Sequence, residues 1–242
     1  MRTLKLILCA LCLASLATPA FAAKAKYEEG EVAGGGTIEG SVVYHGSVKK
    51  RTILPTKDKK VCGRIRKEPL IIVGDGGAVK DSVVFLMDVA AGKPWPTMSG
   101  GERPVLDQKD CRFKPHVQVA RRGKIDIVNS DPVLHNTHGY YGKRTAFNVA
   151  LPIQGGKVTK LLRSPGEVRI DCDAHGWMLA WIYVVDNPYF AQTGDDGRFS
   201  ITDVPPGEYT LAVWQEELGV TEMPVTVAAN EVTSVPVELK GK

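Results

Sequence analysis

Val168-Arg169-Ile170-Asp171-Cys172-Asp173-Ala174-His175-Gly176-Trp177-Met178-Leu179-Ala180-Trp181-Ile182-Tyr183-Val184-Val185 decides how this chain is read. Val168 to Cys172 and Ala180 to Val185 are short β-branched and aromatic runs, the composition of strands. The turn between them gathers a thiol, an imidazole and a thioether. The same pattern continues outward on both sides. Thr37 to Tyr44, Leu70 to Val73, Val79 to Met87, Val117 to Ala120, Lys124 to Val128 and Val158 to Leu162 come before it. Arg198 to Ile201, Tyr209 to Trp214, Met223 to Val227 and Val232 to Leu239 come after it. Helical periodicity is nearly absent, and 25 glycines and 15 prolines suit a loop-rich chain. Many short strands at near-regular spacing predict an all-β fold of sandwiches.

Residues 1–22 read as a secretory signal: Arg2 and Lys5, then the apolar run Leu6 to Ala17, then Ala20-Phe21-Ala22 as a small-x-small cleavage site. Cys9 and Cys12 do not follow small residues, which argues against a lipid-anchored cysteine. No later stretch is apolar and long enough to span a membrane, so a periplasmic or extracellular protein is expected. Residues 23–36 are glycine-rich and read as a flexible leader. Ala91 to Arg103, with Lys-Pro-Trp-Pro and Ser-Gly-Gly, reads as a loop. The formal net charge of +4 is too balanced to point to nucleic acid or an anionic membrane surface.

Beyond the signal the cysteines are Cys62, Cys111 and Cys172. In an exported chain an odd count asks for a reason. The simplest partition is a Cys62–Cys111 disulfide and a metal thiolate at Cys172; free thiols are the alternative. Cys172, His175 and Met178, joined by a second histidine, describe a mononuclear type 1 copper site. His135, in Asn129-Ser130-Asp131-Pro132-Val133-Leu134-His135-Asn136, is the favoured second histidine. His138 competes with it, and alternation along an extended chain allows only one of the two. His116 and His45 read as structural or exposed. His175, in mid-turn, is expected to reach solvent, and Trp177 is a candidate for partner docking.

With these residues in view, Phe113 to Val185 resembles the plastocyanin and amicyanin branch of the cupredoxins. The likeness rests on Gly123-Lys124-Ile125-Asp126-Ile127-Val128-Asn129, on Pro132 to His138, on Pro165-Gly166-Glu167, and on two-residue gaps between Cys172, His175 and Met178. It implies a Greek-key cupredoxin sandwich carrying one electron on copper. Thr193 to Ile201 and Val204 to Leu211 resemble the later half of a carboxypeptidase-regulatory-like sandwich; Gly36 to Val42 and Val79 to Leu86 resemble its earlier half. The favoured layout is a discontinuous outer sandwich, residues 37–103 and 187–242, with residues 104–186 inserted. Two sequential domains are the competing layout.

The expected function is exported single-electron transfer with partners such as a c-type cytochrome or a quinoprotein dehydrogenase. The alternatives are copper binding or delivery without electron transfer, and an envelope interaction module. No nucleophile elbow, paired carboxylates or phosphate loop is recognisable, so no enzymatic activity is expected.

Overall fold

The computed structural model describes residues 26–96 and 103–241. The signal-like segment and residues 97–102 of the expected loop lie outside the described residues. The regular structure of the described residues is nearly all strand; its one α-helix is the four-residue turn Lys59–Cys62. No helix among the described residues is long and apolar enough to cross a membrane.

Four larger sheets form the body. Two are built from both ends of the chain. In one, the strand order is Phe190–Gln192, Val83–Leu86, Gly207–Gln215, Gly219–Val227. In the other, Gly36–Tyr44 pairs with Arg198–Val204 on one side and with Val232–Ser234 and Val237–Leu239 on the other. Their inward residues, among them Ile38, Val42, Leu86, Ile201 and Leu211, make one core. The other two sheets come from the middle of the chain. Lys157–Leu162, Gly123–Asn129, Val105–Lys109 and Arg112–Lys114 form the first, in that order. Arg144–Leu151, His135–Tyr141, Gly166–Asp171, Leu179–Val185 and Val117–Arg121 form the second. Leu106, Ile125, Ile127, Val168, Ile170 and Ile182 fill the core between them.

Leu179–Val185 explains its own composition. Ala180, Ile182 and Val184 face the middle core, while Tyr183 and Val185 join Val83, Val117 and Trp214 in a third cluster. A strand buried on both faces reads as a continuous apolar run. Trp214 anchors that third cluster, and its Nε1 donates to Glu167 Oε2 at 2.8 Å.

Several segments differ from the sequence reading. Within the expected leader, Glu28–Glu29 pairs in parallel with Ala91–Gly92. Tyr27 donates to the Lys93 carbonyl at 2.6 Å, which ties this segment down. Leu70 to Val73 is not a strand; the pairing there is the hairpin of Lys50–Ile53 with Arg66–Pro69. Its apolar side chains still serve, since Ile71 and Val73 pack on the outer core as loop residues. Val105–Lys109, His135–Tyr141 and Arg144–Leu151 are strands whose polar residues hide the alternation.

Candidate metal centre and adjoining polar cluster

The second middle sheet brings the expected ligands together. His135 opens its strand, Cys172 follows the end of Gly166–Asp171, and His175 and Met178 lie in the turn before Leu179–Val185. The turn is closed by His175 N–H to the Cys172 carbonyl at 3.1 Å and Met178 N–H to the His175 carbonyl at 2.9 Å. Ligand atoms of His135, Cys172 and His175 lie within 4.8 Å of one another. His135 Nδ1 and His175 Nδ1 are 3.0 Å apart, and Cys172 Sγ is 3.8 Å from His175 Nδ1. Met178 is buried beside Cys172 in the same core.

Each histidine is held from behind by a carboxylate. Asp131 Oδ2 lies 2.8 Å from His135 Nε2, and Asp58 Oδ2 lies 2.9 Å from His175 Nε2. An imidazole that gives its Nε2 proton to a carboxylate presents a bare lone pair at Nδ1. Two such lone pairs 3.0 Å apart repel unless a cation lies between them. Bonds of about 2.0 Å to nitrogen and 2.3 Å to sulfur are the usual reach of a first-row ion. The donor set therefore fits a single metal ion. Burial pushes the Cys172 thiol up, opposed by the Asn136 N–H, which donates to Sγ at 3.4 Å. Burial also lowers His175, opposed by its bond to Asp58.

The sequence reading assigned no role to Asp58 or Asp131, because neither stands at ligand spacing. Cys62 and Cys111 are joined by a disulfide that organises both. Cys62 closes the short helix whose first carbonyl acceptor is Asp58. Cys111 sits with Asp110 in a turn where both residues have positive φ, 57° and 51°. Asp131 accepts both of their N–H groups at 2.8 Å, which pins that unfavourable turn to the back of His135. Two further groupings of potential ligands use Cys62 or Cys111, whose sulfurs are committed to the disulfide.

His175 does not reach solvent: it is 0% exposed, because Asp58 and its helix cover the outer ring edge. Trp177 is half-buried, its ring 5.0 Å from that of His175. His138 points away from the centre, into a more open cluster. Tyr140 Oη lies 2.6 Å from His138 Nδ1, and the Asp173 carboxylate lies 3.1 Å from the same nitrogen. Thr145 Oγ1 is 3.0 Å from His138 Nε2, and Asn148 Nδ2 is 3.1 Å from Nδ1. Gly139 faces the other side of the strand and is tightly packed: a Cβ there would lie 2.6 Å from Phe147 Cζ. The buried centre and the open cluster are joined. Asn136 Oδ1 accepts from Asp173 N–H at 3.2 Å, and Asn136 Nδ2 donates to Asn148 Oδ1 at 2.6 Å. The sequence signal for this cluster was the i, i+2 spacing of His138 and Tyr140 on one strand face.

Comparison with known proteins corrects the functional reading. A model of polysaccharide lyase family 4, domain II, matches residues 173–235. A protein of Aspergillus flavus described as probable rhamnogalacturonate lyase A is 38% identical over 157 residues, 58% of this chain and 29% of that protein. Amicyanin from Paracoccus versutus matches 35% of this chain and 82% of its own at 12% identity, with a TM-score of 0.32. A purple cupredoxin from Nitrosopumilus maritimus matches 34% of this chain and 99% of its own at 17% identity, with a TM-score of 0.31. Likeness that low assigns neither fold nor function. The lyase matches overturn the cupredoxin and carboxypeptidase-regulatory-like resemblances, and the residues quoted for the latter at 193–211 fall inside the lyase-matched segment. They also overturn the electron-carrier role with its alternatives, and the reading that the protein is not an enzyme. The physical reason is that ligand spacing shows what a chain can hold, not what the protein does with it. The chain spans 29% of the length of the lyase that it resembles.

Proposed function

We propose that this protein acts on acidic polysaccharide by elimination, as the name of its rhamnogalacturonate lyase relative describes, with His138 and Tyr140 as the proton-transfer pair. The observation that carries the reading is 38% identity to that relative over 157 residues. The geometry supplies groups suited to the chemistry. Elimination needs a base for the proton beside the uronate carboxylate and an acid for the departing glycosidic oxygen. The electron pair of the broken C–H bond becomes the new double bond, while the adjacent C–O bond breaks and the glycosidic oxygen leaves with that bond's pair. His138 takes the first proton and the Tyr140 hydroxyl supplies the second; at 2.6 Å the two then re-equilibrate. Asp173, at the same nitrogen, stabilises the imidazolium that forms.

We also propose that His135, Cys172 and His175, with Met178 as a weaker fourth donor, hold one copper ion. A thiolate with two imidazoles suits that metal. When bound, the ion supplies a fixed positive charge and ligand bonds that lock the loop. Asn136 follows one ligand and Asp173 follows another, so locking the centre fixes the partners of His138. In this reading the chain is exported under the direction of Met1 to Ala22.

The test is the ultraviolet absorbance of unsaturated uronate released from rhamnogalacturonan. Wild-type protein should generate it, and His138→Ala should do so about 10²- to 10⁴-fold more slowly. Intact wild-type protein that releases none overturns the reading.

A further inference from the structure

A cleft of about 230 Å³ lies where the Lys50–Ile53 and Arg66–Pro69 hairpin meets the strand Arg112–Lys114, the turn Trp177 to Leu179 and the turn at Glu216. It is distinct from the His138 cluster. One wall is cationic. Arg51, Arg66 and Arg112 all converge on the single carboxylate of Glu68, at 3.3, 2.7 and 3.1 Å. Three guanidiniums share one acid, so that wall keeps donors to spare. Burial works to raise Glu68, but the hydrogen bonds and charges of Arg66 and Arg112 hold it below the ordinary carboxylate value. The wall thus stabilises carboxylates.

The lining also carries two glutamates, one of them paired with a histidine. Glu216 accepts from Gln215 Nε2 at 2.6 Å and pairs with His116 at 3.2 Å, and Glu217 stands beside it, exposed. Trp177 also lines the cleft, and its Nε1 has no hydrogen-bond partner among the described residues. A ligand without hydroxyls would leave the exposed Glu217 carboxylate unmatched, and a neutral sugar would leave the arginines unused. A ligand that carries both a carboxylate and hydroxyl donors satisfies both kinds of lining group. The volume lies below the roughly 300–1,000 Å³ of sites for drug-sized ligands, and suits one sugar residue.

We propose that this cleft binds one uronate residue, with its carboxylate on the Arg51 and Arg112 side chains, a hydroxyl donating to Glu217, and its ring against Trp177. The polymer from which that residue comes rests on the lyase reading; the ligand chemistry does not.

Isothermal titration of the full chain with free galacturonate and with galactose tests it. Galacturonate should bind, and galactose should bind about tenfold more weakly or worse, the factor for one charge-assisted hydrogen bond. Arg112→Gln changes an exposed side chain, and Arg51→Gln changes the Glu68 contact at 3.3 Å; each should weaken galacturonate by about tenfold and leave galactose unchanged. Equal binding of the two sugars, no binding of galacturonate, or binding indifferent to both arginine variants overturns the proposal. Arginine-dependent galacturonate binding without cleavage of rhamnogalacturonan leaves the cleft standing and removes the lyase reading. Cleavage with arginine-independent binding does the reverse.

Discussion

His135 and His175, 40 residues apart in the chain, present Nδ1 to Nδ1 at 3.0 Å, while each is held at Nε2 by its own buried or half-covered aspartate. With an ion between the two Nδ1 atoms, the aspartates fix the Nε2–H tautomer at both rings. Elemental analysis after dialysis against copper should therefore find one equivalent per chain. Asp131→Asn and Asp58→Asn should each weaken the affinity by about 10- to 100-fold, since they remove an outer partner and leave the ligand. Cys172→Ser should bind more weakly than either.

Proton transfer is assigned to the open cluster, so His138→Ala should lower the elimination rate by about 10²- to 10⁴-fold. Tyr140→Phe should also lower it, because the phenol at 2.6 Å is the assigned acid. Far-ultraviolet circular dichroism should be unchanged in both, as His138 and Tyr140 lie outside the buried cores.

The Cys62–Cys111 bridge spans 49 residues of chain. A loop of that length contributes about 4 kcal/mol on the chain-entropy model. The double variant Cys62→Ala/Cys111→Ala should lower the urea midpoint accordingly. It should also weaken copper binding, because Asp58 and Asp131 lose their common tether.

Asp126 is held down to about 2 from its ordinary 3.8, first by Lys157, then by the Thr159 hydroxyl, with Arg103 adding to them. A carboxyl depressed in the folded state favours folding above its unfolded value, and that contribution disappears as pH falls through its folded value. Urea midpoints measured from pH 5 to about 2 should fall less steeply in Asp126→Asn than in wild type.

Trp214 is 1% exposed, packs 5.2 Å from Tyr183, and hydrogen-bonds Glu167. Trp214→Ala should cost about 3–5 kcal/mol. The loss should register as a lower thermal midpoint.

Local pattern was enough for most strands. Met223 to Val227 alternates, and a period of two has only one structural meaning on a half-buried surface, while Leu211 to Trp214 is a short continuous apolar run buried on both faces. It failed where polar residues carry the strand. Asn136, His138 and Tyr140 occupy the open face of His135–Tyr141, so that segment shows no outward apolar signature. It also failed at Leu70 to Val73, whose apolar side chains pack on the outer core from a loop. Apolarity reports burial, and only pairing makes a strand.

The sequence by itself determined the all-β class and the close spacing of Cys172, His175 and Met178, because both follow from covalent neighbours. Only the tertiary structure decided what surrounds them. Asp58 lies 117 residues from His175, and Glu216 lies 100 from His116, yet each pair touches. Tertiary packing likewise turned His175 inward and His138 outward, and it stood three arginines around one glutamate. Such contacts depend on how sheets from distant parts of the chain stack. No periodicity within a strand encodes that, because a strand specifies which face is buried and not what it is buried against.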